Sequence, residues 1–272
     1  SLRRIEEILQ AEIEIEEETI KTVAEPTFDQ TNAAAFEHVT FKYTEISDPV
    51  LEDIDFTIPK GKTTAIVGGT GSGKSSLAKL LLRLSDPTIG KVTLGGIPLT
   101  QMTQEQIRSH ISYVPQKAFL FSGTILSNLQ MGNEYASTEE LSKAIKIAQL
   151  EELVDTLPDG LDSFVAQGGS NYSGGQKQRI CIARALIKPA EIYVFDDSFS
   201  ALDYKTDAAL RAALHKHMSE KTLVIVAQRL STIQQADNII VLDEGKIVGQ
   251  GTHEELLSNC QTYQEFAKSQ GI

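Results

Sequence analysis

Cysteine is scarce in this sequence. The chain holds two, Cys181 and Cys260, and no Cys-x-x-Cys or Cys/His cluster has zinc spacing. Neither a disulfide framework nor a structural metal is expected, and cytosolic chemistry is the default. Long apolar runs are missing as well. No stretch approaches the roughly 18 to 20 residues of a membrane helix, and the N-terminus lacks the apolar core of a signal peptide. Positive charge is in deficit: 25 Lys and Arg stand against 37 Asp and Glu, a formal net charge of −12. Such a surface repels nucleic acid and anionic lipid over most of its area, so no nucleic-acid partner is expected. Internal repeats and low-complexity tracts are also lacking.

What is present is a chain of 272 residues, 41% hydrophobic, enough to bury a sizeable core. Short β-branched runs at 63–67, 192–195, 222–227 and 238–242 are apolar on both faces, the pattern of central strands in a covered parallel sheet. Helical patterns at 75–84, 174–187 and 204–217 lie between them, which predicts an α/β core. Upstream, residues 35–43, 50–58 and 91–94 alternate apolar and polar side chains and predict an antiparallel sheet. From about 117 to 177 the pattern becomes helical without strong strands, which predicts an inserted helical subdomain. Within it Ser137 and Glu140 form a capping box, followed by Leu141, Ile145 and Ala148 on one face; Thr252 and Glu255 form another near the C-terminus. Residues 1–32 read as a linker. Leu2, Ile5, Ile8 and Leu9 have helical spacing, and an acidic run at 12–18 leads to Pro26. A solvated charged helix is the plain alternative.

The sharpest motif is Gly68-Gly69-Thr70-Gly71-Ser72-Gly73-Lys74-Ser75, directly between an apolar strand and a helix. It is the P-loop pattern in the context that pattern requires. Glycines let backbone N–H groups turn toward phosphate oxygens, and the following helix aims its positive end there. Lys74 places a point charge on the β- and γ-phosphates, and Ser75 supplies a hydroxyl for Mg2+. Every position from Gly68 through Ser76 is assigned to the nucleotide. Far downstream, Ile192-Tyr193-Val194-Phe195 delivers Asp196 at a strand end, where an acid can bind Mg2+ directly or through water. ATP and Mg2+ are thus the expected cofactors.

The segment Ser173-Gly174-Gly175-Gln176-Lys177-Gln178-Arg179 resembles the signature motif of ATP-binding-cassette (ABC) ATPases. Its physics is again a helix N-terminus that can receive an anionic phosphate. The resemblance extends from about Phe36 to Phe266. It implies an α/β P-loop (RecA-like) core with an antiparallel β subdomain and an inserted helical subdomain, spanning 33–272. It also implies that the phosphate met by Ser173, Gly174, Gly175 and Gln176 belongs to a partner's nucleotide, two P-loops enclosing two ATP molecules. Tyr43 matches the aromatic residue that stacks on adenine, where a space-filling edge tyrosine is the plain alternative. Gln116, in Tyr113-Val114-Pro115-Gln116, matches the glutamine that touches Mg2+ and the attacking water. Asp203, in Ser200-Ala201-Leu202-Asp203, matches the acid that links the two sites.

Phe121-Ser122-Gly123-Thr124-Ile125 and Gly168-Gly169-Ser170-Asn171 look like exporter-type domains, and residues 2–9 resemble the chain leaving an exporter's last transmembrane helix. This implies a transmembrane domain in the same full-length protein, a second half-transporter as partner, and a place at the cytoplasmic face of the cell membrane.

The chain departs from the family at two catalytic positions. Hydrolytic members carry Glu after the strand-end Asp; this chain has Asp197, shorter by one methylene, about 1.5 Å. Base catalysis needs contact within about 3 Å, and loss of a positioned base costs about 10² to 10⁴ in rate. The family's switch histidine is Gln228, which can donate a hydrogen bond but cannot carry positive charge. Both changes fall in one half-site, which resembles the degenerate chain of heterodimeric bacterial exporters. Asp197, Gln228 and Gln116 form the expected catalytic set. Gln167 and Tyr172 also depart from exporter usage without removing a phosphate-binding atom. Two other readings compete: a scaffold that binds ATP without hydrolysis, and a cassette ATPase of nucleic-acid metabolism, whose coiled-coil insertion or tandem cassettes are not found here.

Overall fold

The computed structural model describes residues 25–28 and 31–272. Most of the linker read over 1–32, including its helical spacing and acidic run, lies outside the described residues. Its last part is attached to the domain. The Thr27 N–H donates to the Gly95 carbonyl at 3.3 Å, and the Phe28 ring lies 5.1 Å from that of His110.

Among the described residues, an antiparallel sheet joins β1 (Asn32–Phe41), β2 (Leu51–Pro59), β4 (Ile89–Leu94) and β5 (Ile97–Pro98) in the order β2-β1-β4-β5. Alternation decides which face is buried. On β2, Leu51, Ile54, Phe56 and Ile58 are buried while Glu52, Asp53 and Asp55 face water. Phe36 and Phe56 are register partners and stack at 4.7 Å. β1 ends at Phe41, so Tyr43, read inside the strand, lies beyond it and is 53% exposed.

The larger sheet contains β3 (Thr63–Gly68), β6 (Ile111–Val114), β9 (Ile192–Asp196), β10 (Thr222–Ala227), β11 (Asn238–Asp243) and β12 (Lys246–Gly251). Their order is β12-β11-β3-β10-β9-β6, parallel except for β12. The four apolar runs read from the sequence are its central members. The edge strands β6 and β12 were not read, because Ser112 interrupts one and the other is largely exposed and carries Gly249.

Strand residues alternate faces, so this sheet divides the core. Ala65, Val67, Phe195, Ile225 and Val241 enter one cluster; Ile66, Val194, Val226 and Ile240 enter the other. The second cluster is completed by the antiparallel sheet, α1 (Lys74–Leu81) and α2 (Gln104–His110). The first is covered by α3 (Ile125–Gln130), α4 (Thr138–Ile147), α6 (Gly174–Ile187) and α7 (Tyr204–His217), and by the final helices α8 (His253–Asn259) and α9 (Gln261–Ser269). Truncating a residue such as Phe195, 0% exposed, to Ala costs about 3 to 5 kcal/mol at a site of this kind.

The helical subdomain contains α3, α4 and the short α5 (Glu151–Thr156). It also holds a ribbon of β7 (Gly123–Thr124) and β8 (Phe164–Val165), whose two-residue strands are too short to show a period. The helix read over 75–84 stops at Leu81: Arg83 turns to φ 48° and buries its guanidinium against the Met102 carbonyl and Asp86. Both predicted capping boxes are formed, and Thr103 with Gln106, Thr124 with Ser127 and Ser173 with Gln176 add others. Each N-cap is worth about 0.5 to 2 kcal/mol. No helix of the described residues is long and apolar enough to cross a membrane.

Candidate functional site

The carboxyl ends of β3, β10, β9 and β6 lie side by side in the sheet. Open α/β sheets form their ligand crevices there. β3 runs into the glycine-rich loop, β6 leads to Gln116, β9 ends on Asp196 and passes to Asp197, and β10 leads to Gln228. Tyr43, Thr70, Gly71, Gly73, Lys74, Ser75, Ser76, Gln116, Asp196, Asp197 and Gln228 line one cleft of about 340 Å³. Residues read as one site from distant parts of the sequence are thus neighbours in space.

The loop is shaped by its glycines at two points in particular. Gly71 has φ 83° and Gly73 φ 102°, both left-handed. A Cβ on Gly73 would stand 2.5 Å from the Leu51 side chain, whereas one on Gly71 would meet nothing within 4 Å. The space over Gly71 is open, which leaves room for phosphate oxygens near the loop N–H groups. Gly68, Gly69 and Ser72 surround the Lys74 head group. The Lys74 ammonium donates to the carbonyls of Gly68 at 2.8 Å and Gly69 at 2.6 Å, with Ser72 Oγ at 3.5 Å. Burial lowers its pKa, against the raising charges of Asp197 and Asp196. A cation 7% exposed and held by carbonyls calls for an anionic counterpart.

Beside the loop, the Tyr43 hydroxyl lies 3.0 Å from Ser76 Oγ, and Lys79 Nζ stands 5.3 Å from the Tyr43 ring centre. Phe41 meets the same ring edge-on at 4.8 Å. The ring is thereby fixed at the mouth of the cleft.

Asp196 is 5% exposed. One of its oxygens, Oδ2, accepts from the Tyr113 hydroxyl at 3.0 Å, while Oδ1 is buried with no hydrogen-bond partner. Burial raises its pKa, and the charge of Asp197 adds to the rise against the Tyr113 bond and Lys74. Leaving such an oxygen unpaired costs about 1 to 3 kcal/mol or more, so it suits a cation. Ser75 lines the same cleft, which gives an oxygen-only donor set that fits Mg2+. Among the described residues, no group of three or more His, Cys, Asp or Glu could hold a metal alone. Phosphate oxygens would have to complete the shell, as is usual for Mg2+.

Asp197 takes φ 45°, a left-handed value that Asp tolerates better than most residues. Its N–H donates to the Val226 carbonyl at 2.8 Å, and its Oδ2 accepts from Gln116 Nε2 at 3.0 Å. Gln116 Oε1 stays available for a cation or water. Gln228 is exposed just beyond β10.

Ser173, Gly174, Gly175, Gln176 and Asp203 do not line this cleft; they form a second cluster. Ser173 Oγ accepts from the Gln176 N–H at 3.2 Å, and Gln176 Oε1 accepts from the Ser173 N–H at 2.8 Å. The Ser173 hydroxyl proton can still be donated outward. A Cβ on Gly174 would meet nothing within 4 Å, while one on Gly175 would stand 3.3 Å from the Ala201 carbonyl. The helix start and the 200–203 turn are therefore in contact. Asp203 caps α7 by accepting from the Thr206 N–H at 3.0 Å, and this bond first of all lowers its pKa. Two contributors escaped the sequence reading. Tyr113 looks like a packing residue of an edge strand, and Gln270, which bonds to the loop at Gln228, carries no motif at all.

Comparison with known proteins identifies the family. A family profile for the ABC transporter matches residues 51–200. An uncharacterized ABC transporter ATP-binding protein of Mycobacterium tuberculosis is 48% identical over 250 residues, 91% of this chain and 43% of that protein. The probable multidrug resistance ABC transporter ATP-binding/permease protein YheI of Bacillus subtilis is 43% identical over 237 residues, covering 87% and 40%. An ATP-dependent lipid A-core flippase of Chromobacterium violaceum is 41% identical over 229 residues, covering 84% and 39%. A solved structure of a bacterial Atm1-family ABC exporter with ATP bound superposes with a TM-score of 0.90 at 33% identity, covering 100% of this chain and 47% of that one. The chain spans less than half the length of these relatives. It belongs to the ABC transporter family and is an ATP-binding ATPase domain of that family.

Proposed function

We propose that this domain is the ATP-driven motor of a membrane exporter, that its own site binds Mg-ATP and turns it over slowly, and that its signature cluster completes the faster site of a different partner chain. The observation that carries this reading is the single cleft joining the P-loop to Gln116, Asp196, Asp197 and Gln228 at adjacent strand ends. Tyr43 stacks on adenine, loop N–H groups and Lys74 hold the phosphates, and Asp203 links the two sites. Mg2+ bound by Ser75 and Asp196, with Gln116 alongside, supplies charge neutralisation at the β- and γ-phosphates.

Asp197 is the group placed to orient and deprotonate water, but its carboxylate is short and engaged with Gln116. Gln228 offers the γ-phosphate a neutral amide. The binding parts are complete and the water-activating parts weak, so the half-site is degenerate. Ser173 and Gly174 stand apart from their own P-loop cleft and open outward, which supports a composite site with a second chain. That chain carries Glu and His at the matching positions, making the assembly a heterodimer.

The likeness to an ATP-binding/permease protein and to an exporter supports attachment to a transmembrane domain in the full-length protein, at the cytoplasmic face of the membrane. A second cleft, lined by Leu84, Phe121 and Met131 and edged by Arg108 and Arg184, supplies an apolar, basic-rimmed seat for such a part.

Equilibrium ATP binding tests the site. Lys74→Ala should weaken it about 10- to 100-fold, the scale of a charged hydrogen bond, while Asp197→Asn should leave it unchanged. Unaltered affinity after Lys74→Ala would remove the assigned cradle. Asp197 and Gln228 also favour a second reading, an ATP-binding scaffold that never hydrolyses. Single-turnover hydrolysis by the assembled complex separates the two.

A further inference from the structure

Between the end of β10 and a short 3-10 turn at Leu230–Thr232 lie only Gln228 and Arg229, in neither element. Strand pairing ends at Ala227, and Gln228 and Arg229 are exposed. A side chain that reads a γ-phosphate must nevertheless be held within about 0.5 Å of its working position. The support comes from the far end of the chain. The Gln270 side-chain NH2 donates to the Gln228 carbonyl at 2.9 Å, and Gln270 Oε1 accepts from the Leu230 N–H at 2.8 Å. One planar amide thus presents a donor and an acceptor to alternate residues of the loop, as a neighbouring strand would.

Both ends of this clamp are fixed. Leu230 is 0% exposed. Gln270 closes α9, its N–H donating to the carbonyls of Phe266 and Ala267 at 3.1 Å each. α9 is seated by Tyr263, 0% exposed, whose hydroxyl lies 2.8 Å from His253 Nδ1. The clamp therefore ties a packed helix to the backbone that carries Gln228.

We infer that Gln270 is a positioning residue for Gln228: it never touches nucleotide, but it sets where the loop stands and so how well the site tells ATP from ADP. This rests on the reading of Gln228 as the γ-phosphate contact.

The test compares ATP and ADP affinities, with Mg2+, for the full chain and its variants. Gln270→Ala should narrow the preference for ATP by roughly fivefold, the size of one neutral hydrogen bond, and leave ADP affinity unchanged. In Gln228→Ala the same change should add nothing further, because both remove one interaction. Gln270→Glu keeps the acceptor for Leu230 but sets an anion against the Gln228 carbonyl, and should match Gln270→Ala. Hydrogen exchange at the Leu230 amide should quicken about tenfold in Gln270→Ala, with β10 amides unaffected. Wild-type ATP preference in Gln270→Ala, or an effect that adds to Gln228→Ala, would overturn the proposal. If the wild-type chain shows no preference for ATP, the reading of Gln228 fails and the positioning role with it. Faster exchange at Leu230 would then show that the clamp exists and that only its function was misassigned.

Discussion

The Gln116 amide donates to the Asp197 carboxylate at 3.0 Å and so joins the loop after β6 to the loop after β9. The acid that would act on water is thereby tied to a residue at the edge of the helical subdomain. A longer acid could keep that bond and still extend into the cleft, by about 1.5 Å.

Repair of the site follows from this. Asp197→Glu together with Gln228→His should raise hydrolysis in the half-site built on this P-loop by about 10² or more. Asp197→Glu alone should give less, since base and phosphate contact act as a unit. The measurement is steady-state phosphate release in the assembled complex, and no gain with ATP binding intact would show that other elements limit the rate.

The two clusters should also respond unequally. Ser173→Arg puts bulk and charge at the proposed docking point for a partner's γ-phosphate, and should abolish most turnover of the complex. Asp197→Asn falls in the half-site proposed to be slow and should cost far less. Transport and ATPase assays on both variants decide between them, and the opposite ranking would reverse the proposed division of labour.

Tyr113→Phe removes the donor to Asp196 Oδ2 but keeps the ring. Lost support of this kind commonly costs tenfold or more in metal affinity, so the Mn2+ titration of the ATP-bound chain, followed by paramagnetic resonance, should shift by about tenfold. ATP binding without divalent ion should stay as it is. An unmoved Mn2+ titration would reduce Tyr113 to a packing residue.

A pH effect is expected outside the cleft lining. The side-chain bond to Asp53, and then the charges of Asp55, Asp53 and Glu37, raise the pKa of His38. Its contribution to stability is fully present below the unfolded value of about 6.5 and is lost as pH rises through the higher folded value. The melting-temperature difference between wild type and His38→Gln should therefore be larger at acid pH than at pH about 8. His38 is exposed, so the effect is small.

The α/β core was legible because its central strands are buried on both faces and read as short β-branched runs with helical patterns between them. The P-loop and the acid at Asp196 were legible because their chemistry is local: a run of glycines, or an acid at the end of an apolar strand. Tyr113 and Gln270 were not. Tyr113 makes one hydrogen bond to Asp196 and Gln270 makes two to the 228–230 loop, all to partners far along the chain, and no local pattern distinguishes either from an ordinary tyrosine or glutamine. The ribbon of β7 and β8 was hidden for a different reason, since its pairing is decided by how residues 123 and 165 meet across the fold.

The placement of catalytic groups beyond the strand ends has an evolutionary consequence. Lys74 and Asp196 are buried, so a change at either disturbs packing as well as chemistry. Asp197 and Gln228 are half-buried and exposed, outside both hydrophobic clusters. Substitutions at such positions usually move stability by less than about 0.5 kcal/mol. Under the proposed division of labour, mutation can therefore wear away hydrolysis in one cassette of a pair while its fold, its grip on ATP and its service to the neighbouring cassette remain under selection. A lineage that begins with two equal engines can in this way arrive at one engine and one nucleotide-loaded hinge, without passing through an unfolded intermediate.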